Sequence, residues 1–199
     1  MKRVFSIVLL ALIVVVSGCA NQSENQVSDT KSTQNLDSHS SEIELEEVVI
    51  RLSDFESKYD FTSGLNETRS ELSEDRKQAF EEKGVLRQYK RLFTREDGET
   101  GVPYQIISTA VVYENESSAE VDLQSNLQNI RSKNGKVVET EISGVTVYEA
   151  TWEAASDHVT IYRQKDNMLY FVFSTEKDDR DYSGKMRELM EKMIADVEE

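Results

Sequence analysis

Apolar and polar positions follow one another in blocks along most of this chain, and the spacing within each block changes at recognisable breaks. Ile43, Leu45, Val48, Val49 and Ile50 predict a strand over 43–52. Tyr59 to Arg69 is strand-like again, and Gly64 inside it predicts a bend. Ser73 to Lys83 reads as a short helix: Ser73 can cap it, Glu74 and Asp75 suit its positive end, and Gly84 offers a left-handed stop. Runs 85–95 and 103–113 flank a loop containing Gly98 and Gly101, the pattern of a hairpin. Pro103, the only proline, belongs at a strand start, where its missing N–H costs nothing. Around Ile106, Ile107, Val111 and Val112 both faces carry apolar residues, so this strand is expected to be covered on both sides.

A longer helix follows. Ser117-Ser118-Ala119-Glu120 has the form of a capping box, with Ser117 at the cap and Glu three residues on. Ala119, Leu123, Leu127 and Ile130 then recur on one helical face until Asn134-Gly135. Lys136 to Ile142, Val145 to Glu153, His158 to Gln164 and Met168 to Ser174 alternate as strands. Ser143-Gly144, Ala155-Ser156-Asp157 and Lys165-Asp166-Asn167 punctuate them as a meander. In the last strand Leu169, Phe171 and Phe173 oppose Met168, Tyr170 and Val172, which predicts a central position. The final helix runs from about Ser183 to Val197, with Met186, Leu189, Met190, Met193, Ile194 and Val197 in one stripe.

Strands segregated from helices define an α+β class: one antiparallel β-sheet packed against two amphipathic helices on its core face, plus a short helix. The element order resembles that of PsbP/Mog1-type domains, a resemblance that implies a binding or assembly role rather than catalysis.

The first twenty residues follow another logic. Lys2 and Arg3 precede an apolar run, Val4 to Val16, broken only by Ser6. With Ser17 and Gly18 it would reach about 22 Å as a helix, short of the roughly 30 Å hydrocarbon core. It therefore reads as a secretory signal helix rather than a membrane span. Val16-Ser17-Gly18-Cys19 resembles the lipobox of prokaryotic (bacterial or archaeal) lipoproteins, with Val16 where that pattern prefers Leu. The resemblance implies cleavage before Cys19 and acylation of its thiol, anchoring the protein to the lipid bilayer. As Cys19 is the only cysteine, the mature protein would hold no disulfide and no thiol chemistry. Residues 20–41, rich in Asn, Gln, Ser, Thr and Asp, cannot bury enough apolar surface to order themselves and read as a flexible tether. The expected organisation is signal peptide 1–18, lipidated Cys19 and tether 19–41, and a single domain 42–199.

Charge narrows the partners. The chain carries a formal −15, and removing 1–18 takes away two cations and no acid, leaving −17. So acidic a protein has no electrostatic affinity for nucleic acid and is expected to stay monomeric.

Signatures of catalysis are missing from the sequence: no nucleophile elbow, no zinc-protease helix, no phosphate loop and no dinucleotide fingerprint. His158 is the only histidine of the folded part and sits on a predicted strand, where packing is the ordinary role. Asp179-Arg180-Asp181-Tyr182-Ser183-Gly184 resembles the first half of a calcium loop, with Asp179, Asp181 and Ser183 as oxygen ligands. Met190 occupies the position of the closing bidentate Glu, so a carboxylate from elsewhere would have to complete it; the alternative is that Asp181 or Ser183 caps the last helix. No other cofactor is implied. Asn21, Asn66 and Asn115 open N-x-S/T sequons, glycosylation acceptors in a source that glycosylates its surface proteins. Tyr148, Trp152, Tyr162 and Tyr170 fall on neighbouring strands, either as core or as the lining of a ligand groove. Together these readings imply a membrane-anchored extracytoplasmic lipoprotein that is not an enzyme and binds a protein or small ligand, or belongs to the cell envelope. The alternatives are an extracytoplasmic hydrolase built on carboxylates and His158, or a calcium-dependent adhesion module.

Overall fold

Seven strands make one antiparallel sheet: β1 (Tyr59–Thr68), β2 (Val85–Arg95), β3 (Gln105–Tyr113), β4 (Lys136–Ile142), β5 (Val145–Trp152), β6 (His158–Lys165) and β7 (Met168–Thr175). Their order is β1-β2-β3-β7-β6-β5-β4. The computed structural model describes residues 44–55, 58–97, 99, 102–152, 158–175 and 181–198. The signal segment, Cys19, Asn21, the 20–41 segment and Asp179 lie outside the described residues. Two meanders, β1-β2-β3 and β4-β5-β6-β7, meet where β3 pairs with β7 from Gln105↔Thr175 to Val112↔Met168. β7 is thus central, as its two apolar faces predicted. The β4–β5 hairpin turns on Ser143 and Gly144, at φ 52° and 77°, and the β6–β7 hairpin on Asp166 at φ 50°. Gly144 meets the need for a left-handed backbone there without steric cost.

Among the described residues, four α-helices accompany the sheet: α1 (Leu45–Val48), α2 (Glu74–Lys83), α3 (Glu116–Ser132) and α4 (Ser183–Glu198). They do not share a core face, as the sequence reading expected of the two long ones. On one side of the sheet, α1 and α4 pack on Phe93, Ile106, Ala110, Ile161, Tyr170 and Val172. On the other, α3 and Phe80 of α2 pack on Val85, Val111, Tyr113, Tyr162 and Leu169. The physical reason is the double-sided apolar pattern of β3 and β7: a strand that is greasy on both faces needs cover on both. The helical stripes land as predicted. Ala119, Leu123, Leu127 and Ile130 of α3 are at most 5% exposed, and so are Met186, Leu189, Met190, Met193, Ile194 and Val197 of α4. Each of these side chains other than Ala119 contributes about 1.5–3 kcal/mol by leaving water.

Two local expectations are corrected. The described part of the 43–52 segment, residues 44–52, is not a strand. Leu45 and Val48, three apart, are buried on one side of α1, and the chain then runs extended through buried Val49 and Ile50. Side chains satisfy its backbone in place of a ladder. Ser108 Oγ accepts from Ile50 N at 3.1 Å, and Arg91 donates to the carbonyls of Val49 and Ile50 at 3.4 and 3.3 Å and to Glu46 at 2.9 Å. Tertiary cover overrides the β-propensity of Val-Val-Ile. Helix α3 begins two residues before the Ser117 box: Asn115 is the N-cap, and its side chain accepts from Ser118 N at 2.9 Å. Ser73 does stand at the N-cap of α2, without a side-chain capping bond, and Gly84 ends that helix at φ 67°.

Candidate functional site

Helix α3 covers only part of its side of the sheet. It starts just beyond the end of β3, stops just before β4, and lies across β3 to β7. The burial of the central strands records the diagonal. On the α4 side, Ile106, Ser108, Ala110 and Val112 of β3 and Met168, Tyr170, Val172 and Ser174 of β7 are all buried. On the α3 side, Thr109, Val111, Tyr113 and Leu169 are buried, whereas Gln105, Ile107, Phe171, Phe173 and Thr175 are only half-buried. One face is sealed along its length; the other is open toward the Gln105/Thr175 end.

The register assembles the floor of this open half. Leu92 stands opposite Ile107, and Ile107 opposite Phe173. One row inward, Leu65 faces Lys90, Lys90 faces Thr109, and Thr109 faces Phe171. At one margin Trp152, His158 and Phe173 form an aromatic group. Ring centroids lie 5.0 Å apart for Trp152–His158 and 5.4 Å for His158–Phe173, the latter pair stacked at 22°. Leu65 is 39% exposed. Lys90 is the one cation among these floor residues, and none is a carboxylate. The hydroxyl of Thr109, a residue only 5% exposed, has no hydrogen-bond partner. The arrangement can hold an apolar body and orient it by a single charge.

His158 therefore lies in an aromatic stack on β6. Of the four aromatics read as either core or groove lining, Tyr148, Trp152 and Tyr162 share the α3 side, while Tyr170 is fully buried in the core on the opposite one. Burial pushes the Tyr162 phenol up to about 12. Burial, then Asp122, holds Tyr113 far above the ordinary phenol range, with its O–H donated to Asp122 at 2.7 Å. Tyr148 is also raised, by burial first and then by Glu139 and Glu120. All three phenols stay neutral at physiological pH and serve packing.

At the start of α4, Asp181 Oδ1 accepts from Ser183 N at 2.9 Å. The Ser183 hydroxyl and amide, with Arg187 beyond them, hold the Asp181 carboxyl below its ordinary range. Gly184 faces open space. No group of three or more His, Cys, Asp or Glu side chains among the described residues is placed to hold a metal ion. Asn66, on edge strand β1, and Asn115 are both exposed.

A second depression, about 390 Å³, is lined by Thr68, Arg69, Ser70, Lys77, Leu86 and Arg87. Its central cation is already committed: Arg69 donates through Nε to Val85 O and pairs with Glu114. Beside it, Arg76 of α2 donates to buried Glu67 at 2.7 Å. These bonds tie α2 to β1 and, through Arg69, the β3–α3 corner to β2, so Arg69 and Arg76 serve the fold.

Leu92, Ile107, Phe171 and Phe173 were not singled out by the sequence. Alternation marks them as inward-facing, but it reads the same whether or not a helix lies above them.

Fold and site together define an α+β domain whose sheet is closed by helices on one face and half open on the other. No protein-family model matches the chain, and no curated protein matches it. Among solved structures it is similar to the extracellular domain of PknH from Mycobacterium tuberculosis, with a TM-score of 0.50 and 12% identity over 78% of this chain and 95% of that one. At that identity the likeness shows the fold alone. No helix among the described residues is long and apolar enough to cross a membrane.

Proposed function

We propose that this protein is a lipid-anchored, extracytoplasmic binding module without enzymatic activity. Acylated Cys19 holds it to the membrane, residues 20–41 give the domain reach, and the open half of the sheet receives its ligand or partner. The observation that carries the binding role is the half-buried apolar floor of Leu92, Ile107, Phe171 and Phe173 on central strands whose other face is sealed. A partly exposed apolar patch on a sheet face is a common mark of an interaction surface. The extracytoplasmic placement is supported by the lipobox-like Val16–Cys19 and by a fold also found in a domain described as extracellular.

Intact mass of the protein taken from its native membrane tests this reading. The expected mass is that of residues 19–199 plus acyl chains, and Cys19→Ser should release the protein from membranes. A retained leader with a free Cys19 thiol would contradict it.

A further inference from the structure

We infer that the open face takes a small amphiphilic organic anion, its apolar body on Leu92, Ile107, Phe171 and Phe173 and its anionic group at Lys90. This rests on the proposed reading that the open face is the binding surface, and adds the ligand's chemistry. Three observations carry it. First, the named floor residues hold one cation, Lys90, and no carboxylate. Second, Lys90 is surrounded by Gln88 and Leu92 along its strand and by Leu65 and Thr109 across it, and makes no ion pair among the described residues. Glu67, diagonal to it in the register, is already bonded to Arg76 and Gln88. Third, Thr109, directly opposite Lys90, keeps a hydroxyl donor buried and without a partner. An ammonium and an idle hydroxyl side by side recognise a carboxylate or sulfonate. The apolar rows around them exclude fully hydrated inorganic anions as the preferred guest.

The test is a matched pair of fluorescent probes, 1-anilinonaphthalene-8-sulfonate and its neutral counterpart N-phenyl-1-naphthylamine. Each is titrated into residues 19–199 carrying Cys19→Ser, which need no detergent. Lys90→Met removes the charge and keeps the stem; Thr109→Val removes the hydroxyl and keeps the shape. Both should weaken the sulfonate about two- to five-fold, the range for one solvent-exposed ion pair or one hydrogen bond. Neither should move the neutral probe, and Thr109→Val should leave thermal stability unchanged or higher. Sulfonate affinity indifferent to both substitutions overturns the ligand class alone. Binding of both probes that survives Ile107→Asp, in a variant with native circular dichroism, overturns the open-face reading. Absence of saturable binding of either probe to the unsubstituted domain overturns both.

Discussion

Trp152 and His158 stand opposite each other across β5 and β6 with their rings 5.0 Å apart, and Phe173 closes the group from the neighbouring strand. Because Trp152 is the only tryptophan and is half-buried at the margin of the open face, its fluorescence reports on that face. Acrylamide should quench it to an intermediate degree, between the native protein's buried limit and the urea-unfolded chain. Saturating 1-anilinonaphthalene-8-sulfonate should reduce that quenching. Complete protection before any ligand is added would mean the face is closed.

Leu127 sits at the centre of the α3 contact and is fully buried, while Val121 on the same helix is 67% exposed. Leu127→Ala should cost about 2–5 kcal/mol in denaturant unfolding, the range for a cavity in a rigid core. Val121→Ala should stay within about 0.5 kcal/mol. Equal effects at the two positions would mean that α3 is wrongly placed on the sheet.

The cap of α3 distinguishes sequence pattern from structure. Asn115→Ala removes the acceptor for Ser118 N and should cost about 1 kcal/mol. Ser117→Ala lies inside the first turn and should be nearly neutral. The reverse order would restore the Ser117 capping box.

Asp181 gives the start of α4 a pH dependence. Its carboxyl is held below the ordinary 3.8, so the stabilisation it brings is complete above that value and is lost as pH falls through the lower folded-state value. Amide exchange at Ser183 should therefore accelerate relative to the α4 interior only in strong acid. Asp181→Ala should show the fast exchange at neutral pH as well. An Asp181→Ala variant with the same pH profile as the parent would remove the carboxylate from this role.

Periodicity made the α+β class, the meander, the central place of β7 and both helical stripes readable from the chain, because each depends on neighbours within a few residues. What lay beyond it were relations between elements. Both long helices have the same kind of stripe, and nothing local says that α3 and α4 take opposite faces. Val49 and Ile50 carry β-branched side chains, but their conformation is decided by Ser108 and Arg91, more than forty residues away. The site was hidden for the same reason. Ile107 and Val111 look alike in sequence, and only the diagonal path of α3 leaves the first half-buried and buries the second.

That difference offers the most direct measurement of the account. In a Cys19→Ser background, single cysteines at 107 and 111 lie on the same strand and the same face, one on the open half and one beneath the helices. Under native conditions a maleimide should label Ile107→Cys readily and Val111→Cys only at the rate of unfolding, with Ala110→Cys on the sealed face equally protected. Protection of position 107 to the same degree as 110 and 111 would contradict an open sheet face, and with it the binding role argued from that face.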